Sequence, residues 1–281
     1  MIVPRAEVAD TADVAAHYDD LDEIYRSLWG TSLHHGYWIT GKESPEVAVA
    51  NLTRLVANRS GMRPGDRVCD LGCGYGAAAI LWQRDFGVQV TGITISEKQF
   101  LLGKSAAAGN ANIQLILGDA ARNGLPAESF DVATVIESSE HMPDKLKFFI
   151  EARRLLRRGG RCVVAAWLTC EQPTGRQTKF LLEPICREGR LPSMASASEY
   201  RGMLEQAGFH DVECANLTRC VKRTWSICAR RVVGRFLTDR SFRSVLFDPA
   251  FSNRIFARTV FRIWLAYQIG AMQFGVFSAQ K

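Results

Sequence analysis

The chain has 281 residues, 47% of them hydrophobic and 23% charged, with a formal net charge of +6. At roughly 150 residues per domain, this is one large domain or one domain with a cap, long enough to bury a full core without disulfides or metals and too apolar to be disordered or collagen-like. The most apolar stretch, residues 255–277, is broken by Arg258, Arg262 and Gln268, which excludes a membrane span. Residues 1–20 are acidic and lack the apolar run of a signal peptide.

In chain order, the middle of the sequence alternates strand and helix signals, the pattern of a parallel α/β sheet. Residues 67–71 read as a strand running into glycines and 77–86 as a helix. A second strand covers 88–94. A second helix covers 97–108, with Ser96 as N-cap and Gly109-Asn110 at its end. Residues 113–117 form strand three. Residues 130–136 form strand four, with the continuous apolar run of a buried parallel strand. A helix over 144–157 closes at Gly159-Gly160, and 161–167 is strand five. The rhythm then breaks. Residues 169–196 carry Pro173, Pro184 and Pro192 and read as irregular. A helix over 197–207 and a strand over 209–217 follow. Residues 218–268 read as helical, aromatic and Arg-rich, and 271–279 as a last strand. The organisation expected is a core at 61–169, a first lid insertion at 170–196, core again at 197–217, a helical cap at 218–268 and a final core strand at 269–281. Both insertions follow late strands. Ligands bind at the carboxyl ends of strands in open α/β sheets, so these segments are natural lids.

The eight cysteines form no C-x-x-C pair, and several sit in apolar runs. That is the pattern of reduced, buried thiols in a cytoplasmic protein, not of a zinc site or disulfide scaffold. Charge is uneven: residues 218–281 hold twelve Lys/Arg against two Asp/Glu, whereas the other 217 residues carry a balance of −4. Such a segment is a solvated basic face, or it meets an anionic substrate, an acidic partner or a lipid surface. No Arg/Gly tract, zinc module or RNP-like strand points to nucleic acid.

The strongest local signal is Val68-Cys69-Asp70-Leu71-Gly72-Cys73-Gly74-Tyr75-Gly76, a strand entering a glycine turn that a helix leaves. Glycines allow the sharp turn and the close approach of a ligand to the main chain. Gly72-x-Gly74-x-x-Ala77 also fits the dinucleotide fingerprint. Against NAD, the strand ends in Asp70 two residues before the first glycine. Strand two ends Gly92-Ile93-Thr94, without the acid that holds an adenosine ribose.

The D-x-G-x-G-x-G pattern resembles motif I of class I S-adenosylmethionine (SAM) methyltransferases. Gly118-Asp119-Ala120, Phe130-Asp131-Val132-Ala133 and the turn from Leu155 to Arg161 resemble later motifs of the same superfamily, in order and at the right spacing. A narrower set of motifs resembles the γ-tocopherol methyltransferase-like branch. It comprises His17-Tyr18-Asp19, Leu28-Trp29-Gly30, His34-His35-Gly36-Tyr37-Trp38, the run from Val90 to Ser96 with Gln99, and Glu137-Ser138-Ser139-Glu140-His141-Met142. Tyr18 and Thr94…Gln99 are also similar to the cyclopropane-fatty-acid synthase and mycolic acid methyltransferase group.

The resemblance implies a Rossmann-like seven-stranded sheet, mostly parallel with the last strand antiparallel, and helical lid insertions. It also implies an N-terminal helical lid over residues 1–60 that closes on the cofactor, SAM. Thr94, Ile95 and Gln99 stand where other relatives carry the acid after strand two. Asp119 and Ala120 match the adenine contact. Asp70, Gly72, Cys73 and Gly74 form the loop around the methionine part. Glu137 joins the cofactor set, and Tyr18, Tyr37 and Trp38 line the cofactor mouth, where aromatic faces favour the sulfonium.

His141 follows strand four on the acceptor side of this fold, titrates near neutral pH and is the first candidate base. A relative in the branch pairs a His here with an Asp at the end of strand five. This chain has Ala166-Trp167 there, so Glu171 is the next candidate and Glu140 the third. No residues are assigned to a metal. The activity expected is SAM-dependent O-, N- or C-methylation of a small, largely apolar metabolite. The rival within the class is C-methylation of an isoprenyl or fatty-acyl alkene through a carbocation, with Trp167, Phe180, Trp225, Phe236 and Trp264 as candidate faces. A SAM- or nucleotide-binding protein without catalysis is the rival outside it, and an NAD-dependent dehydrogenase comes last. The partners expected are the small-molecule acceptor, anionic or isoprenoid, and a second copy of the chain.

Overall fold

Seven strands form one sheet in the order β3-β2-β1-β4-β5-β7-β6. They are β1 (Arg67–Leu71), β2 (Gln89–Thr94), β3 (Ile113–Leu117), β4 (Phe130–Ile136), β5 (Leu156–Thr169), β6 (His210–Asn216) and β7 (Met272–Gln280). The first five are parallel, and β7 runs antiparallel to both β5 and β6. The structure, a computed structural model, describes residues 1–2, 14, 16, 19, 34–247 and 256–281. Tyr18, His17 and most of the expected N-terminal lid helix lie outside the described residues. Val14, Ala16 and Asp19 are helical.

The pleat sorts side chains onto two faces. On β5, Cys162, Val164 and Ala166 join a cluster with Phe148, Phe149, Tyr200 and Leu204. These come from α4 (Lys145–Leu155) and α6 (Ala197–Gln206). Val163 and Ala165 point the other way, into a cluster with Leu52, Trp82, Ile185, Trp225 and Ile263. Its helices are α1 (Pro45–Ser60), α2 (Ala77–Phe86), α5 (Glu183–Glu188), α7 (Arg223–Thr238) and α9 (Phe256–Gln268). Both faces are covered, so β4 is buried along its whole length. A short α8 (Arg240–Phe247) lies between α7 and α9.

Local chemistry sets most element ends. Ser96 accepts from the Gln99 N–H at 3.1 Å and so starts α3 (Glu97–Ala106). Asp144 accepts from the Lys147 N–H at 3.0 Å and caps α4. Several expected bounds differ from the structure: β5 runs over 156–169 rather than 161–167, and α3 ends at 106 rather than 108. Helix α4 stops at Leu155 rather than 157, because Leu156 is already extended and pairs with Phe130. Residues 169–196 are not irregular throughout. A capping box between Thr174 and Gln177 starts a helical run that passes through a π turn (Thr178–Leu182) into α5. Pro184 lacks an N–H, and the wider π turn accommodates it at the start of α5.

Candidate active site

Strand β1 delivers Asp70 into a loop whose Gly72 and Cys73 N–H groups both bond to the Ile93 carbonyl, at 2.9 and 2.8 Å. Gly72 has φ +93°, and a Cβ there would lie 2.3 Å from Ser138 Cβ. Only glycine fits. Gly74 has φ +55°, and a Cβ there would meet nothing closer than Gln99 Oε1 at 3.9 Å. The loop, the ends of β2 and β4 and the turn after β3 enclose a cavity of about 420 Å³, within the range of small-ligand sites.

Among the expected cofactor residues, Asp70, Gly72, Cys73, Gly74, Thr94, Ile95, Gln99, Asp119, Ala120 and Glu137 line this cavity, and so does His141. Thr94 Oγ1 donates to Gln99 Oε1 at 3.1 Å. Asp119 Oδ1 accepts the Ala121 N–H at 2.8 Å, which holds the turn after β3. Burial raises the Asp70 carboxyl to about 7, against a 3.0 Å hydrogen bond from Thr134 Oγ1. A buried carboxyl so disfavoured as an anion is suited to a cationic ligand.

Tyr37 and Trp38 are not on the cavity. Trp38 is buried and donates its indole N–H to the Glu43 carbonyl at 3.3 Å, while the backbone N–H groups of Tyr37 and Trp38 tie this segment to α1 and to Cys220. The residue this segment presents to the cavity is His34. Glu171 is exposed and accepts the Ser198 N–H at 3.0 Å, so it completes the start of α6 and does not face the cavity. Its hydrogen bonds from Ser198 hold its carboxyl below the usual range. Glu140 is buried and does not line the cavity. Its Oε1 accepts the Trp167 backbone N–H and its Oε2 the Ser139 hydroxyl at 3.3 Å. Burial raises it to about 7.

The hub of the site has only a partial sequence signal. Glu137 closes β4 in the left-handed region at φ +51°. Its carboxylate accepts the His35 N–H at 2.7 Å, the His35 Nδ1–H at 2.9 Å and the Trp167 Nε1–H at 2.6 Å. The Trp225 indole N–H, which can only donate, lies 2.7 Å from His35 Nε2. Nε2 is therefore the acceptor, and Nδ1 carries the proton that faces Glu137. Burial works against the Glu137 charge, but His35, His34 and Trp167 outweigh it and hold the carboxyl below its ordinary range. His35 packs edge-on against Trp167, Trp225 and Tyr267. No short-range pattern announces a contact between residues 190 positions apart.

A family model described as mycolic acid cyclopropane synthetase matches residues 6–235. The chain belongs to this family. It is 32% identical over 226 residues to 27-O-demethylrifamycin SV methyltransferase of Amycolatopsis mediterranei, covering 79% of this chain and 82% of that protein. It is 26% identical over 288 residues to a chloroplastic tocopherol O-methyltransferase of Arabidopsis thaliana, covering 95% and 81%. The mycolic acid cyclopropane synthase CmaA1, solved with SAH and CTAB, superposes with a TM-score of 0.85 at 19% identity over 98% of this chain and 99% of that one. The enzyme is a SAM-dependent methyltransferase with the Rossmann-like fold of this class. The cavity residues fit the cofactor. Glycines open the loop to close approach, Gln99 and Asp119 offer polar contacts, and Asp70 supplies a buried acid for a cation. When bound, SAM supplies a methyl group already activated on a sulfonium sulfur. Among the described residues no helix is long and apolar enough to cross a membrane.

Proposed function

We propose that this enzyme O-methylates a small, largely apolar metabolite, and that His141 takes the proton from the acceptor hydroxyl. The observation that carries the reading is the position of His141 on the one-turn helix Ser139–His141 after β4, on the wall of the same cavity as the glycine loop, Gln99 and Asp119. Methyl transfer asks the protein chiefly to align acceptor oxygen, methyl carbon and sulfur. A hydroxyl acceptor also needs its proton removed. Glu137, another ionisable group on this cavity, already accepts three hydrogen bonds and is held below the carboxylate range, so it is a weak base at neutral pH. The names of the rifamycin and tocopherol relatives support an oxygen acceptor. Val14 lines the cavity, and Ser96 and Lys98 donate to Asp19, at 2.5 Å from Lys98. These contacts support an N-terminal segment that covers the cofactor and excludes water. The eight unpaired cysteines support a reducing, cytoplasmic setting.

The experiment is to incubate the enzyme with methyl-labelled SAM and cell extract, identify the labelled product by mass spectrometry, and compare variants on that acceptor. His141→Ala lowers kcat by about 10²- to 10⁴-fold and leaves SAM affinity little changed. Wild-type kcat in that variant removes His141 as the base. A second reading is C-methylation of an alkene, supported by Glu137 as an ionised carboxylate on the cavity wall; the expected aromatic faces Trp167, Phe180, Trp225, Phe236 and Trp264 do not line the cavity. A product methylated on carbon decides for it.

A further inference from the structure

We propose that Lys145 is a positioning residue for His141: its ammonium clamps the turn that carries the imidazole to the loop that touches it. Lys145 opens α4 and is only 3% exposed. Both facts are unusual. Lysines almost never bury fully, because the long stem lets the charge reach water. A cation in the first turn of a helix also faces the positive end of the helix dipole. The ammonium has three N–H groups, and three oxygens receive them. They are the Glu140 carbonyl at 3.2 Å, the Met142 carbonyl at 3.2 Å and Ser193 Oγ at 2.9 Å. The two carbonyls belong to the residues on either side of His141. The third acceptor lies three residues beyond Arg190, whose carbonyl is 3.4 Å from His141 Nδ1.

That loop is itself anchored. Met194 exchanges both backbone hydrogen bonds with Ile2, at 2.8 and 2.9 Å, and the Ala195 carbonyl accepts the Thr169 N–H at 3.0 Å from the end of β5. One buried cation thus joins the two backbone groups that flank the imidazole to a loop fixed on the sheet. Burial lowers Lys145 to about 8, with the Glu140 charge opposing, so the clamp is charged at neutral pH. A buried charge is costly unless fully hydrogen-bonded, and the bonds that compensate it here are those that hold the turn.

The kinetic arm of the test rests on the reading of His141 as base; the spectroscopic arm does not. In the full chain with saturating SAH and labelled histidine, the ring signal of His141 is assigned by its loss in His141→Ala. Lys145→Met shifts that signal and its titration, and leaves the signal of the exposed His210 in place. On the acceptor identified with labelled SAM, Lys145→Met lowers kcat about ten- to hundredfold with KM and SAM affinity within about twofold. In the His141→Ala background it lowers kcat no further, because the group it positions is gone. Ser193→Ala removes one of the three acceptors. It gives a smaller change in the same direction, and it carries the test if Lys145→Met does not fold. An unmoved His141 signal in Lys145→Met, or the same fold-loss with and without His141, overturns the clamp. If His141→Ala keeps wild-type kcat, the base reading falls and the His141 signal alone decides: moved, the clamp stands; unmoved, it is overturned.

Discussion

At the carboxyl ends of β1, β2 and β4, buried polar groups are matched by specific partners: Thr134 with Asp70, Thr94 with Gln99, His35 and Trp167 with Glu137. The cap built from α7 and α9 is assembled differently. Its inner faces bury Trp225, Cys228, Val232, Val260 and Ile263, while its outer faces leave Leu237 70% and Leu265 41% exposed. Losing one partner of a buried polar pair costs about 1–3 kcal/mol. An exposed substitution stays mostly within about 0.5 kcal/mol. The cofactor end is therefore intolerant of change and the cap tolerant of it. The residues that line the cavity belong to the first.

The sharpest way to break this contrast is at the glycine loop. Gly72→Ala places a Cβ 2.3 Å from Ser138 Cβ at φ +93°, so the loop must move. Isothermal calorimetry is expected to show SAM affinity reduced by about 100-fold or more, about 2.7 kcal/mol. Gly74→Ala meets only Gln99 Oε1, at 3.9 Å. Its cost is the left-handed backbone, about 1–2 kcal/mol, and the loss is nearer tenfold. Equal losses at the two positions would show that backbone strain, not the Ser138 contact, sets the requirement.

Asp70 sharpens the comparison through pH. Burial, opposed by the Thr134 hydrogen bond, raises its carboxyl from 3.8 to about 7. The folded chain therefore holds a proton that the unfolded chain releases. The stability this group contributes is present below about 4 and lost as pH rises through about 7. A cationic ligand acts in the opposite sense, since it favours the ionised form. SAM affinity is expected to rise with pH up to about 7, by as much as about tenfold per unit. Asp70→Asn flattens the profile. A wild-type profile already flat between pH 5.5 and 7 would mean that Asp70 does not meet the cation.

What the sequence discloses follows the same division. The loop from Asp70 to Gly76, the Ser96 cap and the fully apolar β4 are written in neighbouring residues; the seven-stranded sheet with its antiparallel last strand is implied by the resemblance of the motifs, and the order of the strands comes from the structure alone. The network around Glu137 is not written locally, because His35, Trp167 and Trp225 meet only after the cap folds back on the sheet. Glu171 looks like an acid beyond strand five, yet its nearest donors are at the start of α6. Tyr37 and Trp38 look like cavity aromatics, yet α1 and Cys220 draw them away. The helical run after Thr174 is hidden by three prolines, although its capping box is legible in the spacing of Thr174 and Gln177.

The smallest effects are expected on the exposed surface of α7 and α9; the sequence from 218 to 281 holds twelve basic and two acidic residues. Leu237→Ser changes stability by no more than about 0.5 kcal/mol and leaves SAM affinity unchanged. The basic charge is read through ionic strength. Arg235 already pairs with Asp239 at 3.2 Å, and Arg262 with Glu188, so the exposed Arg230 and Arg258 are the groups to vary. If the cap attracts an anionic acceptor, KM for that acceptor rises severalfold as salt shortens the screening length from about 10 Å at 0.1 M toward about 3 Å at 1 M. KM for a neutral analogue barely moves. Arg230→Ser with Arg258→Ser then reduces the salt response of the charged acceptor while kcat holds. If charged and neutral acceptors respond alike in the wild type, the arginines serve only to solvate an apolar helical face.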